Sequence, residues 1–318
     1  MPGAAHRLIL CFGSTPTLQR TMRFGRLQTG GVNRAAEVHE HASGKAINVA
    51  RVVHALGRPC LALVPLGGAR GERVQRDLAE TAIPAEAISV EAETRLCVTV
   101  IDEAAGQATE LIEEHAPLPP AVGGRLLEAL EAKLARASAL VLSGSVAAGL
   151  DHGIYAEAVR LARRASVPAV VDASGAPLRA ALAERPDVVK INRSEFAGTF
   201  EASAESDFAV QSAISALARD FGGWLIVTDG RAGSYASDGN RLWHISAPTV
   251  ETLSPIGSGD AFAAGLVVAM VDGATPPDVF RLAAACGAAN ASTPHAGNLD
   301  PQRVVELEPQ VVIQKLPM

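Results

Sequence analysis

Residues 254–265 read SPIGSGDAFAAG. Ala261, Phe262, Ala263 and Ala264, and the run Leu266, Val267, Val268, Ala269 and Met270 behind them, are mostly small or straight apolar residues of the kind that form a helix. Gly257, Ser258 and Gly259 then fall where a helix leaves backbone N–H groups unpaired and its dipole positive, an end that suits an anion. Asp260 in that place is either a cap beside a glycine turn or a carboxylate stationed beside a bound anion, and the stretch alone leaves both open.

Three further stretches carry polar groups at the ends of apolar runs. HASGKAIN (41–48) offers Gly44 for close backbone approach and Asn48 one turn into a helix; the plain alternative is an ordinary turn with Lys45 solvated. KINRSE (190–195) sets Asn192 and Glu195 three residues apart, on one helix face, where their oxygens could hold hydrated Mg²⁺. A helix capped by Asn192 with Glu195 in its first turn fits the same letters. TDGRAG (228–233) could meet a nucleotide's phosphates with Thr228 and the backbone around Gly230, or could simply turn a hairpin between WLIV and SYAS.

The elements that would position these groups are legible in outline. Short apolar runs at 8–13, 60–66, 139–145, 168–174, 187–192 and 224–230 alternate with helix-like segments at 45–56, 70–81, 120–137, 153–165 and 205–220. That alternation predicts an α/β protein with a mainly parallel sheet covered on both faces, its site beyond the carboxyl ends of the strands. Residues 31–43 and 95–115 break the alternation and read as strands without helices between them, the second pair turning at Ala104, Ala105, Gly106 and Gln107. They predict a small β-sheet lid on one domain spanning 1–318, with lid strands inserted at about 14–43 and 95–115.

Composition narrows the function classes. The 318 residues are 48% hydrophobic and 19% charged, and 28 basic against 34 acidic residues give −6 without a long block of one sign. This is a globular composition and argues against broad nucleic-acid or anionic-membrane binding. Cys11, Cys60, Cys97 and Cys286 form no C-x-x-C pair and read as reduced core thiols. MPGAAHRLILCFG is too short in apolar residues for a secretory signal, no run reaches the length of a membrane span, and a cytoplasmic protein is expected. There is no G-x-x-x-x-G-K-[ST] loop, no complete dinucleotide fingerprint and no protein-kinase motif set.

Taken in order, SGKAINVARVVHALG (43–57), VLSGSVAAGL, VVDASG, VVKINRSE, VTDGRAG and SPIGSGDAFAAG (254–265) resemble the PfkB family of carbohydrate kinases, over nearly the whole chain. The resemblance implies a ribokinase-like three-layer αβα sandwich and phosphoryl transfer from ATP, with Mg²⁺, to a sugar hydroxyl. It implies Asp260 as the base, Gly257, Ser258 and Gly259 as the anion hole, and Asn192 and Glu195 as organisers of Mg²⁺, in part through water. Lys190 would stand near the same charge, Thr228 and Gly230 would contact ATP, and Asn290 would border the adenine. Gly44 and Asn48, with Ser43, Lys45 and Gln19, would meet the sugar, and Arg95 and Arg34 would bind a substrate phosphate. STPTLQRTMRFGRLQTGGVNRAAEV (14–38), Thr94-Arg95, TELIEE (109–114) and Ser254 look most like the hexose-phosphate branch, which includes 1-phosphofructokinase and tagatose-6-phosphate kinase.

Two departures fall in the sugar-reading stretches. Gln19 stands where the branch usually carries Asp, and S43-G-K-A46 replaces G-G-K-G. On Thr94-Arg95 and Ser254 a hexose-phosphate kinase is expected; the alternatives are a kinase of an unphosphorylated sugar or nucleoside, which Gln19 favours, or a non-catalytic sugar or nucleotide sensor. Exposed lid edges would suit a homodimer formed through the lid.

Overall fold

Runs such as LILCF and CLALVPL are apolar at every position, which suits only strands buried on both faces. The computed structural model describes residues 8–201 and 206–318; residues 1–7 of the N-terminal stretch and residue 205 of the helical segment expected at 205–220 lie outside them. β1 (Leu8–Phe12) leads to β2 (Thr17–Phe24) and β3 (Glu37–Ser43), then to α1 (Lys45–Ala55), β4 (Cys60–Leu66), α2 (Gly68–Glu80) and β5 (Ala85–Ser89). A hairpin of β6 (Arg95–Asp102) and β7 (Gln107–Ile112) precedes α3 (Pro120–Leu134), β8 (Ala137–Ser143), α4 (Ile154–Arg164), β9 (Ala169–Asp172), α5 (Gly175–Leu182) and β10 (Val188–Asn192). The chain continues through α6 (Arg193–Phe200), α7 (Asp207–Phe221), β11 (Trp224–Thr228), β12 (Ser234–Ser237), β13 (Leu242–Ile245), α8 (Ser258–Val271), α9 (Pro276–Ala291), α10 (Pro301–Leu307) and β14 (Ile313–Leu316).

The ten-stranded sheet has the order β14-β13-β12-β11-β10-β9-β8-β1-β4-β5, parallel from β5 to β11 and antiparallel beyond. Alternation along the strands divides the core into two layers. Ile9, Cys11 and Val141 face α1, α2, α8, α9 and α10, whereas Leu10, Phe12, Leu140 and Leu142 face α3 to α7. The result is the three-layer αβα arrangement, with the four cysteines buried and unpaired in it. Register sets the parallel strands to end together: Ser143 pairs with Asp172 and Asn192 with Thr228, which makes a rim of polar groups.

The second sheet, β3-β2-β6-β7, is built from the two segments that break the alternation. Its hairpin turns at 103–106, one residue before the expected position, and Gln107 already opens β7. The short outer strands β5 and β14 were not among the expected runs; both are edges of the large sheet and lack a fully buried pattern. Among the described residues no helix is long and apolar enough to cross a membrane.

Candidate active site

At the rim, one fully buried carboxylate organises the charges. Asp172 ends β9, and Lys190 lies one position beyond the paired Val189 and Val171, so its Nζ reaches Asp172 Oδ2 at 3.0 Å. Lys45, at the start of α1, meets the other oxygen of Asp172 at 3.3 Å and Glu195 at 3.5 Å. Burial would raise the Asp172 carboxyl, but Lys190 and Lys45 hold it below its ordinary range. Burial works against the charge on Lys45 too, and Asp172, Glu195 and Asp260 together overcome it and keep the ammonium charged. Lys45 is thus tied into the site and not merely solvated. Asp172 is the residue that sequence reasoning passed over, although its place at the end of the run PAVVD was available as a signal.

Asp260 lies in the first turn of α8 and is 5% exposed. Its Oδ2 accepts a 2.7 Å hydrogen bond from Asn48 Nδ2, and Asn48 Oδ1 accepts one of 2.9 Å from Ser43 Oγ. Burial pushes the Asp260 carboxyl up to about 6, with Lys45 and Asn48 opposing and Asp172 adding to the rise. The helix start is shaped around an open position. Gly257 has φ +83°, and a β-carbon there would stand 2.6 Å from the Gly297 nitrogen, so only glycine fits. A β-carbon on Gly259 would come within 2.6 Å of Lys190 Nζ, which puts the ammonium beside the helix N-terminus, and Ser258 Oγ is buried without a partner.

Asn192 and Glu195 form a reciprocal capping box: Glu195 N donates to Asn192 Oδ1 at 2.8 Å, and Asn192 N to Glu195 Oε2 at 3.3 Å. The capping reading is therefore correct, and both side chains still line the cavity. TDGRAG likewise does two things. It turns β11 into the antiparallel β12 through a short 3₁₀ turn at Gly230–Ala232, and it presents Thr228 and Gly230 to the same space.

That space is a cavity of about 640 Å³ between the rim, α8, α9 and the lid. Ser43, Gly44 and Gln19 border it from the lid, as does Arg95. Gly44 has φ +103°, and its close approach is to the chain's own Thr15 and Pro16, 2.9 Å from where a β-carbon would stand. Gln19 is buried with its Nε2 donating to Thr99 Oγ1 at 2.8 Å. Arg95 donates from Nη2 to the Thr15 carbonyl at 3.2 Å, and its buried Nε has no partner.

Two expected residues are not at the cavity. Arg34 is exposed in the loop between β2 and β3 and does not border the cavity. Asn290 is fully buried beside the lining face of α9 and donates to the carbonyl of Ile256, which does border the cavity, at 2.9 Å, so it braces the approach to α8. The α9 residues that do border the cavity, Ala284, Gly287, Ala288 and Ala291, follow helical spacing and leave a shallow, smooth wall.

A profile described as pfkB family carbohydrate kinase matches residues 6–303. Solved structures share the fold. One from Thermotoga maritima, described as a possible 1-phosphofructokinase, is 22% identical with a TM-score of 0.90 and coverage of 98% of this chain and 100% of that one. Phosphofructokinase-2 from Escherichia coli in complex with fructose-6-phosphate is 23% identical with a TM-score of 0.85, covering 96% and 98%. The tetrameric inhibited form of that enzyme aligns equally well, with a TM-score of 0.86, 23% identity and the same coverage. A match along nearly the whole chain, over an architecture that assembles Asp260, Lys190 and the start of α8 in one cavity, places the protein in the pfkB family of carbohydrate kinases, transferases that phosphorylate sugar hydroxyls.

Proposed function

We propose that the protein is an ATP- and Mg²⁺-dependent kinase acting on a hydroxyl of a sugar phosphate, in the manner of the phosphofructokinases. The observation that carries this reading is the position of Asp260. A buried carboxylate whose proton affinity is raised to about 6 stands beside an open helix N-terminus, and the same cavity extends to an arginine on the lid. Asn48 holds Oδ2, so the proton of the substrate hydroxyl passes to Oδ1. The N–H groups of Ser258 and Gly259, with Lys190 beside them, face the negative charge that builds on the transferring group.

The residues present fit both implied groups. At the strand ends two lysines face three carboxylates, Asp172, Asp260 and Glu195, so a nucleoside triphosphate needs a cation to complete the charge balance. Asn192 and Glu195 would hold that cation through water, since Glu195 Oε2 keeps a lone pair beyond its capping bond and Oε1 meets only Lys45, at 3.5 Å. Thr228, Gly230 and the small face of α9 would take the nucleotide. ATP would supply the phosphoryl group and Mg²⁺ would screen its charge; alignment and dehydration are then the protein's contribution.

The phosphate of the substrate is assigned to Arg95, the lid arginine that borders the cavity. Glu110 on the same wall favours a second reading, a kinase of an unphosphorylated sugar. Burial raises this carboxyl against the pull of Arg95, and a carboxylate there would compete with a substrate phosphate. The deciding experiment is Mg²⁺-ATP-dependent ADP release over hexose phosphates, free sugars, polyols and nucleosides. Turnover on a phosphorylated hexose supports the first reading, and turnover only on a free sugar or nucleoside overturns it.

A homodimer through the lid belongs to the same proposal. β3 and β7 are both edges of the small sheet and expose Val38, Leu111 and Ile112. Sedimentation should show a dimer that Val38→Lys with Leu111→Lys converts to a monomer; a monomeric wild type would remove the proposal.

A further inference from the structure

Away from the cavity, three histidines converge from distant parts of the chain. His39 and His41 are two residues apart on β3, so their side chains lie on one face of the lid. His295 comes from the loop between α9 and α10 and closes against them. The ring centroids are 5.5 Å apart for His39 and His41, 4.3 Å for His39 and His295, and 5.5 Å for His41 and His295. One ring nitrogen from each lies within 4.8 Å of the others.

Ring packing alone does not account for the cluster. His41 is 5% exposed and neither of its ring nitrogens has a hydrogen-bond partner, and the buried Nδ1 of His295 also has none. Buried side-chain polar atoms nearly always find a partner, so a buried ring with both nitrogens orphaned, in a group where each ring offers one nitrogen within 4.8 Å of the others, calls for a ligand. Imidazole nitrogens are the preferred ligands of late first-row divalent metals.

We propose that His39, His41 and His295 form a three-histidine site for a divalent transition metal of the Zn²⁺ class, distinct from the Mg²⁺ position at the strand ends. Tetrahedral coordination at about 2.0–2.1 Å sets donor nitrogens closer together than they stand here. His39, at the exposed end of the group, supplies the needed movement by rotating its side chain. The fourth position faces solvent and takes water. The loop is already braced for the task, since Thr293 Oγ1 donates to the carbonyls of Asn290 and His295 at 2.9 and 3.0 Å.

The site would join two parts that have no covalent reason to move together. β3 runs directly into Ser43 and Asn48 of the cavity, and the loop carrying His295 continues into Ala296 and Gly297, which press on Gly257. A bound metal would therefore fasten the lid to the segment behind the anion hole.

The test uses the full chain stripped with EDTA and dialysed. Titration calorimetry with ZnCl₂ should show one saturable equivalent, Co²⁺ should give the visible bands of a tetrahedral nitrogen site, and Zn²⁺ should raise Tm. His39→Ala and His295→Gln should each weaken Zn²⁺ at least about tenfold, the lower end of what loss of even an outer-shell partner costs. Both should also lose the Tm response while melting like the wild type in EDTA. Should one variant fail to fold, the other carries the comparison, and the Co²⁺ spectrum of the wild type stands without either. Absence of saturable Zn²⁺ binding overturns the proposal. So does Zn²⁺ binding that survives in the folded variants, which would put the metal at Asn192 and Glu195 instead.

Discussion

The two walls of the cavity are built differently. Around the start of α8 the polar groups are mostly charged and held by one another: Asp172 between two lysines, Asp260 by Asn48, Asn192 and Glu195 in a mutual cap. On the lid the corresponding positions are neutral or tied to backbone, with Gln19 bonded to Thr99, Arg95 to the Thr15 carbonyl, and open strand edges beyond. In the proposed function the first wall would fix what reaction is performed, because shifting any one charge there unbalances the rest. The second wall would select the molecule, and it tolerates change since its strands are few and their edges free. The departures from the family pattern, at Gln19, Ser43 and Ala46, fall around the lid and the turn below it.

The largest break in this contrast should come from Asp260→Asn. Turnover is expected to fall about 10²–10⁴-fold, the usual share of a general base, with KM for the sugar changed little, as steady-state kinetics would read. An equal loss in KM alone would make Asp260 a binding group.

The same variant should gain stability. Asp260 binds its proton more tightly when folded than at its ordinary 3.8, so its contribution to stability is present below about pH 4 and is lost as pH rises through about 6. At pH 8 the ionised carboxylate costs up to about 3 kcal/mol, since each tenfold gain in proton affinity on folding corresponds to about 1.4 kcal/mol. Urea melts should show Asp260→Asn more stable than the wild type by about 1–3 kcal/mol at pH 8, and the gap should close by pH 4.

A smaller effect is expected from the lid. Arg95→Ala should raise KM about 10- to 100-fold for a phosphorylated substrate, the worth of a charge-assisted hydrogen bond, and leave an unphosphorylated analogue nearly unaffected. Equal loss on both would remove the phosphate from this wall. The mildest test is the acid limb of kcat/KM for the free enzyme, which should bend near pH 6 and fall about tenfold for each pH step of one below it. Asp260→Asn should lack that bend.

Much of the first wall was readable in the sequence. Strands buried on both faces announce themselves as unbroken apolar runs, so β1, β4, β8, β9, β10 and β11 fall on the expected segments, and the polar residues at their ends follow. The Asn192–Glu195 spacing carried two meanings, and the structure realises the cap while keeping both side chains at the cavity. What could not be read depends on lateral neighbours. Nothing local marks Asp172 as the partner of both Lys45 and Lys190, since that requires knowing that β9 and β10 pair and that α1 starts above them. Asn290 and Arg34 were assigned from order along the chain, whereas the helix face of one and the loop path of the other decide their surroundings. The histidine cluster joins positions more than 250 residues apart and has no one-dimensional signature.

The contact between Gly257 and the loop at Ala296 and Gly297 reaches further than one turn. A β-carbon on Gly297 would fall 2.7 Å from Asn48 Cα, and one on Gly257 would strike Gly297 itself. Helix α8, helix α1 and the loop therefore share a single point of mutual tolerance, and none of the three has room for even a methyl group there. Mutation at this junction should act as an inactivating lesion that leaves every reacting atom in the sequence intact. In a screen of random variants, such positions would score as catalytic even though neither glycine has a side chain to offer.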